Sequence, residues 1–130
     1  MPEVPIVAIA DLHGHHDLFL ALVNCFDRLL GADYQLVTLG DYVDNGPQVP
    51  ALLDALIALK ADRPDRFFPI LGNHDLACLR ALGWSDGPPD DAWYGRWSAR
   101  FMNPGGETPW QYGAHSATQL REKMPEPHRG

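Results

Sequence analysis

Three short apolar runs, Val4 to Ala10, Gln35 to Leu39 and Phe67 to Leu71, alternate with stretches whose apolar residues recur at helical spacing, and this alternation constrains the fold most. Leu18, Leu22, Phe26 and Leu29 form the first periodic set, and Val49, Leu52, Leu53, Leu56 and Ile57 the second. A third helix is predicted from Asp75 to Leu82. The order βαβαβα predicts an α/β fold with a parallel sheet layer, right-handed crossovers and helices covering the sheet faces. Ligands of such sheets gather beyond the carboxyl ends of the strands.

At 130 residues and 45% apolar composition the chain is sized for one domain over residues 1–130, with a motif-bearing core at 4–82 and a loop-rich, aromatic helical region at 83–130. In that region Trp93, Trp97 and Phe101 recur every four residues, the pattern of a helix docking an aromatic face on the sheet layer, and no chemistry is assigned to them. A last short helix is expected from Ser116 to Met124, followed by a fraying end, PEPHRG. The excess of 17 acidic over 10 basic side chains, a net charge of −7, disfavours nucleic acid or an anionic membrane as the main ligand. Cys25 and Cys78 stand singly in helical patterns without CxxC spacing, so they read as reduced core residues of a cytosolic protein. The N-terminal stretch lacks a basic n-region and turns polar early, so a cytoplasmic location is expected.

Each predicted strand ends in residues able to donate electron pairs. The first runs into Asp11-Leu12-His13-Gly14, the second into Gly40-Asp41-Tyr42-Val43-Asp44, and the third into Gly72-Asn73-His74-Asp75. Any one junction could be helix capping or turn chemistry. Three in succession at one sheet edge would accumulate like charge unless a cation compensated it. Carboxylate, imidazole and amide donors without thiolates suit Mn, Fe, Zn or Mg rather than a structural zinc site. Asp11 and His13 can turn to a common point, and Asp41 on the neighbouring strand could bridge that ion to a second held by Asn73. Two ions roughly 3.5–4 Å apart can bind a hydroxide and clamp phosphoryl oxygens during in-line displacement.

In this order, DLHG, GDYVDNGP and GNHD resemble the first three motifs of the calcineurin-like metallophosphoesterases, and the spelling GDYVDxGP is most similar to the phosphoprotein phosphatase and bis-nucleoside tetraphosphatase branch. The resemblance covers residues 11–75. It implies an αββα fold, two divalent ions with manganese foremost, and hydrolysis of phosphorylated protein or small-molecule substrates, with dinucleoside polyphosphates as the alternative. It implies further that Asp11 and His13 bind one metal, that Asp41 bridges both and that Asn73 binds the second. His74, backed by Asp44, is then the proton donor to the leaving group; a carboxylate on one ring nitrogen fixes the tautomer and favours the protonated imidazole.

The chain departs from the family pattern in three respects. Ala10 stands where a glycine is usual, and Asn45 where many relatives carry a phosphate-gripping arginine, whose charge and bidentate fork asparagine cannot supply. No further strand-borne histidine and no GHxx motif follows; the leftover histidines are His15, His16, His115 and His128. The chain therefore reads as the N-terminal half of a longer phosphoesterase, with a catalytically incompetent metal-binding or interaction module as the competing reading. Sheet surface left uncovered by such a half-fold would favour oligomerisation or aggregation.

Overall fold

All three apolar runs form strands in the computed structural model, which describes residues 3–84, Pro88 and residues 108–128. The strands β1 (Ile6–Ile9), β2 (Gln35–Thr38) and β3 (Phe67–Pro69) make one parallel sheet in the order β1-β2-β3. The register pairs Val7 with Leu36 and Leu36 with Phe67. Beyond the strands the ladder continues for one more rung, Leu39 N–H to Ile9 O and Ile70 N–H to Thr38 O, both 2.8 Å. The three junction loops thus leave the sheet side by side.

The helices α1 (His16–Leu30) and α2 (Val49–Asp62) pack on one face of the sheet, where Phe19, Val23, Leu52 and Leu56 meet Leu36 and Phe67. Two successive right-handed crossovers that advance in the same direction put both helices on the same side. Among the described residues, α1 and α2 thus cover one and the same face of the sheet. The opposite row of side chains faces solvent, with Ile6 66% and Phe68 39% exposed.

The core-facing stripe of α1 also differs from the one predicted. Leu18, Leu22 and Leu29 are 63%, 40% and 72% exposed, while Phe19 and Val23 are buried with Leu30 packed beside them; of the predicted stripe, Phe26 packs on the core as expected. Both sets have helical spacing, and they lie one residue, or about 100°, apart on the helix. On the second helix Val49, Leu52 and Leu56 are buried as predicted, and Ile57 lies at the margin. Across α1 and α2, Arg63 grips the Asp27 carboxylate with both terminal nitrogens, at 2.7 and 2.9 Å, and Tyr34 Oη donates to the same carboxylate at 2.7 Å. The Arg63 guanidinium holds the Asp27 carboxyl below its ordinary range.

A second core cluster joins Val43 and Val49 to Cys78, Ala81 and Leu82 of α3 (Asn73–Leu82) and to Ala117 and Leu120 of a later helix. After α3 ends at the left-handed Gly83, the described chain resumes with a short α4 (Thr108–Gln111) and then α5 (Ala117–Lys123). The helix expected from Ser116 to Met124 is thus present, and Ser116 caps it, its hydroxyl accepting Gln119 N–H at 3.1 Å. The tail, expected to fray, is held as far as His128, the last described residue. Glu126–His128 forms a 3-10 turn, with the His128 ring held between Tyr112 Oη and Asp54 Oδ1 at 2.6 Å each. Cys78 is buried, but Cys25 is exposed, which corrects its reading as a core residue. The aromatic set Trp93, Trp97 and Phe101 lies outside the described residues. No described helix is long and apolar enough to cross a membrane.

Candidate metal centre and active site

Backbone contact, rather than side-chain packing, joins the three junction loops. A Cβ on Gly40 would run into the main chain of Gly72, so only glycine lets the second and third loops touch there. The first loop is tied to the second by His13 N–H to Asp41 O (2.8 Å) and Gly14 N–H to Tyr42 O (2.9 Å). Asp75 fastens the second and third loops together. Its Oδ2 accepts Asp41 N–H and Gly72 N–H, both at 2.8 Å, and its Oδ1 accepts Tyr42 N–H at 2.9 Å and Val43 N–H at 3.4 Å. Burial pushes the Asp75 carboxyl above the ordinary carboxylate range, and the backbone N–H groups pull against that shift.

Among the described residues, the non-glycine positions with positive φ are Asp11, His13, Asp41, Asp44 and Asn45, at 37° to 68°. All belong to these loops. A left-handed backbone costs an ordinary side chain about 1–2 kcal/mol, which short polar residues partly recover by local hydrogen bonding. Strain of this kind persists where surrounding structure enforces it, and it clusters at functional sites. Helix capping does not account for Asp11, Asp41 or Asp44. The N-cap positions of α1, α2 and α3 are His15, Gln48 and Gly72.

The loops bring Asp11, His13 and Asp41 together, with one ligand atom of each within 4.8 Å of the others. The His13 ring faces the Val43 carbonyl through Nδ1 at 2.9 Å. A carbonyl only accepts, so Nδ1 carries the proton and Nε2 keeps its lone pair for a ligand. The Asn73 carboxamide lies against Asp41; its amide nitrogen can donate to the two carboxylate oxygens at 2.9 and 3.1 Å. Rotated by half a turn, the carboxamide presents its oxygen instead, beside the Asp41 carboxylate. The donor set fits a hard or borderline divalent ion, since two carboxylates and an imidazole nitrogen converge where their charges would otherwise repel.

His74 stands beside this group. Its main-chain N–H donates to Asp41 Oδ1 at 2.9 Å, and its ring lies edge-on to that of His13 with centroids 4.9 Å apart. Its Nδ1 is 3.1 Å from Oδ2 of Asp44, a carboxylate only 1% exposed. Asp44 is also in contact with Thr108, whose hydroxyl donates to Oδ1 at 2.7 Å. The other histidines lie elsewhere. His15 and His115 are exposed, His16 pairs with Asp17, and His128 binds Asp54. Asn45 is exposed at the turn.

Asp75 and Thr108 are the residues that sequence reasoning missed. Asp75 had a local signal, because Gly72-Asn73-His74-Asp75 places an acid three residues after an N-cap, where it reaches back to the cap N–H. Thr108 had none; its partner is 64 residues away.

A family model described as calcineurin-like phosphoesterase matches residues 4–124. The chain belongs to the calcineurin-like phosphoesterase family. Members of this family use divalent metals, which agrees with the Asp11, His13 and Asp41 group. The three-stranded parallel sheet and its helices are consistent with part of a metallophosphoesterase fold. A Caenorhabditis elegans protein, provisionally named as a serine/threonine-protein phosphatase, is 37% identical over 80 residues. The match covers 62% of this chain and 21% of that relative, so the chain spans a minor part of the relative's length.

Proposed function

We propose that this chain carries the metal-binding loops and the acid of a metal-dependent phosphoester hydrolase, of the serine/threonine protein phosphatase-like kind, acting on phosphomonoesters. The supporting observation is the Asp11, His13 and Asp41 group set directly beside the His74–Asp44 pair. Asp11, His13 through Nε2, and Asp41 would hold one divalent ion, manganese foremost, and Asp41 with Asn73 a second. Such ions supply a nucleophilic water at neutral pH and neutralise charge on the phosphoryl oxygens.

The chain's own groups do the rest. Asp44 accepts a hydrogen bond from His74 Nδ1–H and so directs Nε2 away from the buried carboxylate; with both ring nitrogens protonated, the ring can give its Nε2 proton to the departing alkoxide and is left as the neutral Nδ1–H form. The held main chain of Asp41 and His74 fixes the distance between acid and metal group. Asn45 offers the phosphate no charge, so affinity for substrate is lower than an arginine there would give. A dinucleoside polyphosphate is the alternative substrate, read with the same residues.

The test is turnover of nitrophenyl phosphate by the full chain with manganese. His74→Asn is expected to lower turnover about 100-fold or more while retaining metal. Unchanged turnover in that variant would refute the acid role. A second reading, a module that binds one ion and catalyses nothing, is favoured by the single convergent acid and histidine group among the described residues. Two tightly held ions per chain in equilibrium dialysis would rule it out.

A further inference from the structure

The Asp44 carboxylate can orient His74 only if it is itself prevented from turning, and its backbone is in the left-handed region at φ 68°. In this conformation both its main-chain N–H and its Oδ1 meet one oxygen. Thr108 Oγ1 accepts the N–H at 2.8 Å and donates to Oδ1 at 2.7 Å, and Thr108 is fully buried. The hydroxyl therefore uses its donor and an acceptor on the same residue, fixing backbone and carboxylate together.

Gln111, one turn further along α4, does the corresponding work at the far end of the loop. Its Nε2 donates to Gly46 O at 2.7 Å, and its Oε1 accepts Val49 N–H at 2.6 Å. The short helix thus grips the segment from Asp44 to Val49 at both ends.

We propose that Thr108 is a positioning residue for the candidate acid, locking Asp44 so that His74 holds its Nδ1–H on that carboxylate and, when doubly protonated, points its Nε2–H towards the leaving group. This rests on the reading of His74 and Asp44 given above. A hydroxyl serving stability alone would shift unfolding without changing how the rate depends on the leaving group.

The experiment compares the full-length wild type with Thr108→Val and Thr108→Ser. One measurement is the long-range proton–nitrogen spectrum of the His74 ring, assigned by its disappearance in His74→Asn. The other is the ratio of kcat on phenyl phosphate to kcat on nitrophenyl phosphate, since the poorer leaving group needs the proton more. Thr108→Val is expected to replace the single His74 tautomer by an averaged one and to lower the ratio by roughly tenfold, within the span that general acids contribute. Thr108→Ser is expected to restore both. A folded Thr108→Val with unchanged tautomer and ratio would overturn the proposal. If Thr108→Val does not fold, a folded Thr108→Ser with an averaged tautomer overturns it, and one with the wild-type tautomer supports it. If His74→Asn leaves the ratio unchanged, the acid reading fails, and the tautomer measurement still decides what Thr108 holds.

Discussion

Replacing Asp75 by asparagine keeps the shape of the side chain and removes one acceptor oxygen, which makes it a direct probe of what joins the loops. The carboxylate receives backbone N–H groups on both oxygens. A carboxamide offers one oxygen and turns its NH2 towards donors on the other side. The less costly orientation keeps the Asp41 and Gly72 contacts at 2.8 Å and sacrifices Tyr42 at 2.9 Å and the longer Val43 contact at 3.4 Å. A buried N–H left without an acceptor costs about 1–3 kcal/mol, so one good and one weak contact amount to roughly 2–4 kcal/mol. Burial disfavours the charged carboxylate, a penalty the neutral amide escapes, so the lower end of that range, about 2 kcal/mol, is expected. Urea unfolding followed by circular dichroism measures it. With slopes of about 1–3 kcal/mol per molar, the midpoint should fall by roughly 1 M at unchanged slope. A loss below about 0.5 kcal/mol, the range of ordinary surface changes, would show that the loops are held by something other than this carboxylate.

Asp27→Asn should destabilise the chain by about 1 kcal/mol near neutral pH, discounted because the carboxylate is partly exposed. Since Arg63 depresses the folded-state pKa of Asp27, the stabilisation is complete above the unfolded value of 3.8 and disappears as pH falls through the folded one. Unfolding midpoints of wild type and variant should therefore converge in acid, and a gap constant with pH would contradict the pairing. After chelator treatment, Asp41→Asn should bind manganese at least about tenfold more weakly than wild type by isothermal titration calorimetry; equal Kd values would exclude Asp41 from the donor set. Gly40→Ala meets the Gly72 main chain and a φ of 92°, so a loss of about 3 kcal/mol is expected in thermal unfolding, and a wild-type Tm would show that the loops can separate.

The order of strands and helices was legible because each strand run is apolar and each helix periodic, and the donors at the strand ends were legible by residue type. Which stripe of α1 faces inward was not, since Leu18-Leu22-Leu29 and Phe19-Val23-Leu30 fit the same period. Strand order, and with it the choice of a covered face, is a tertiary property that no local pattern encodes. The hydroxyl of Thr108 reaches Asp44 across 64 residues, and the His128 latch needs Tyr112 and Asp54 from separate elements. Local sequence named the candidate donor side chains and left unnamed those that hold them still.

The left-handed loops make conservative chemistry and conservative substitution different things at this site. Aspartate and asparagine tolerate such torsions, whereas glutamate, with the same charge and a longer reach, does not gain the same local hydrogen bonds. An acid-for-acid exchange at Asp11, Asp41 or Asp44 is therefore a main-chain perturbation before it is a change of side-chain chemistry. A combinatorial library built at those codons should divide by backbone tolerance, with short polar residues and glycine in the folded class and longer acids outside it. Transplanting the motif letters onto another scaffold will reproduce the convergence of Asp11, His13 and Asp41 only where that scaffold supplies the same inverted turns.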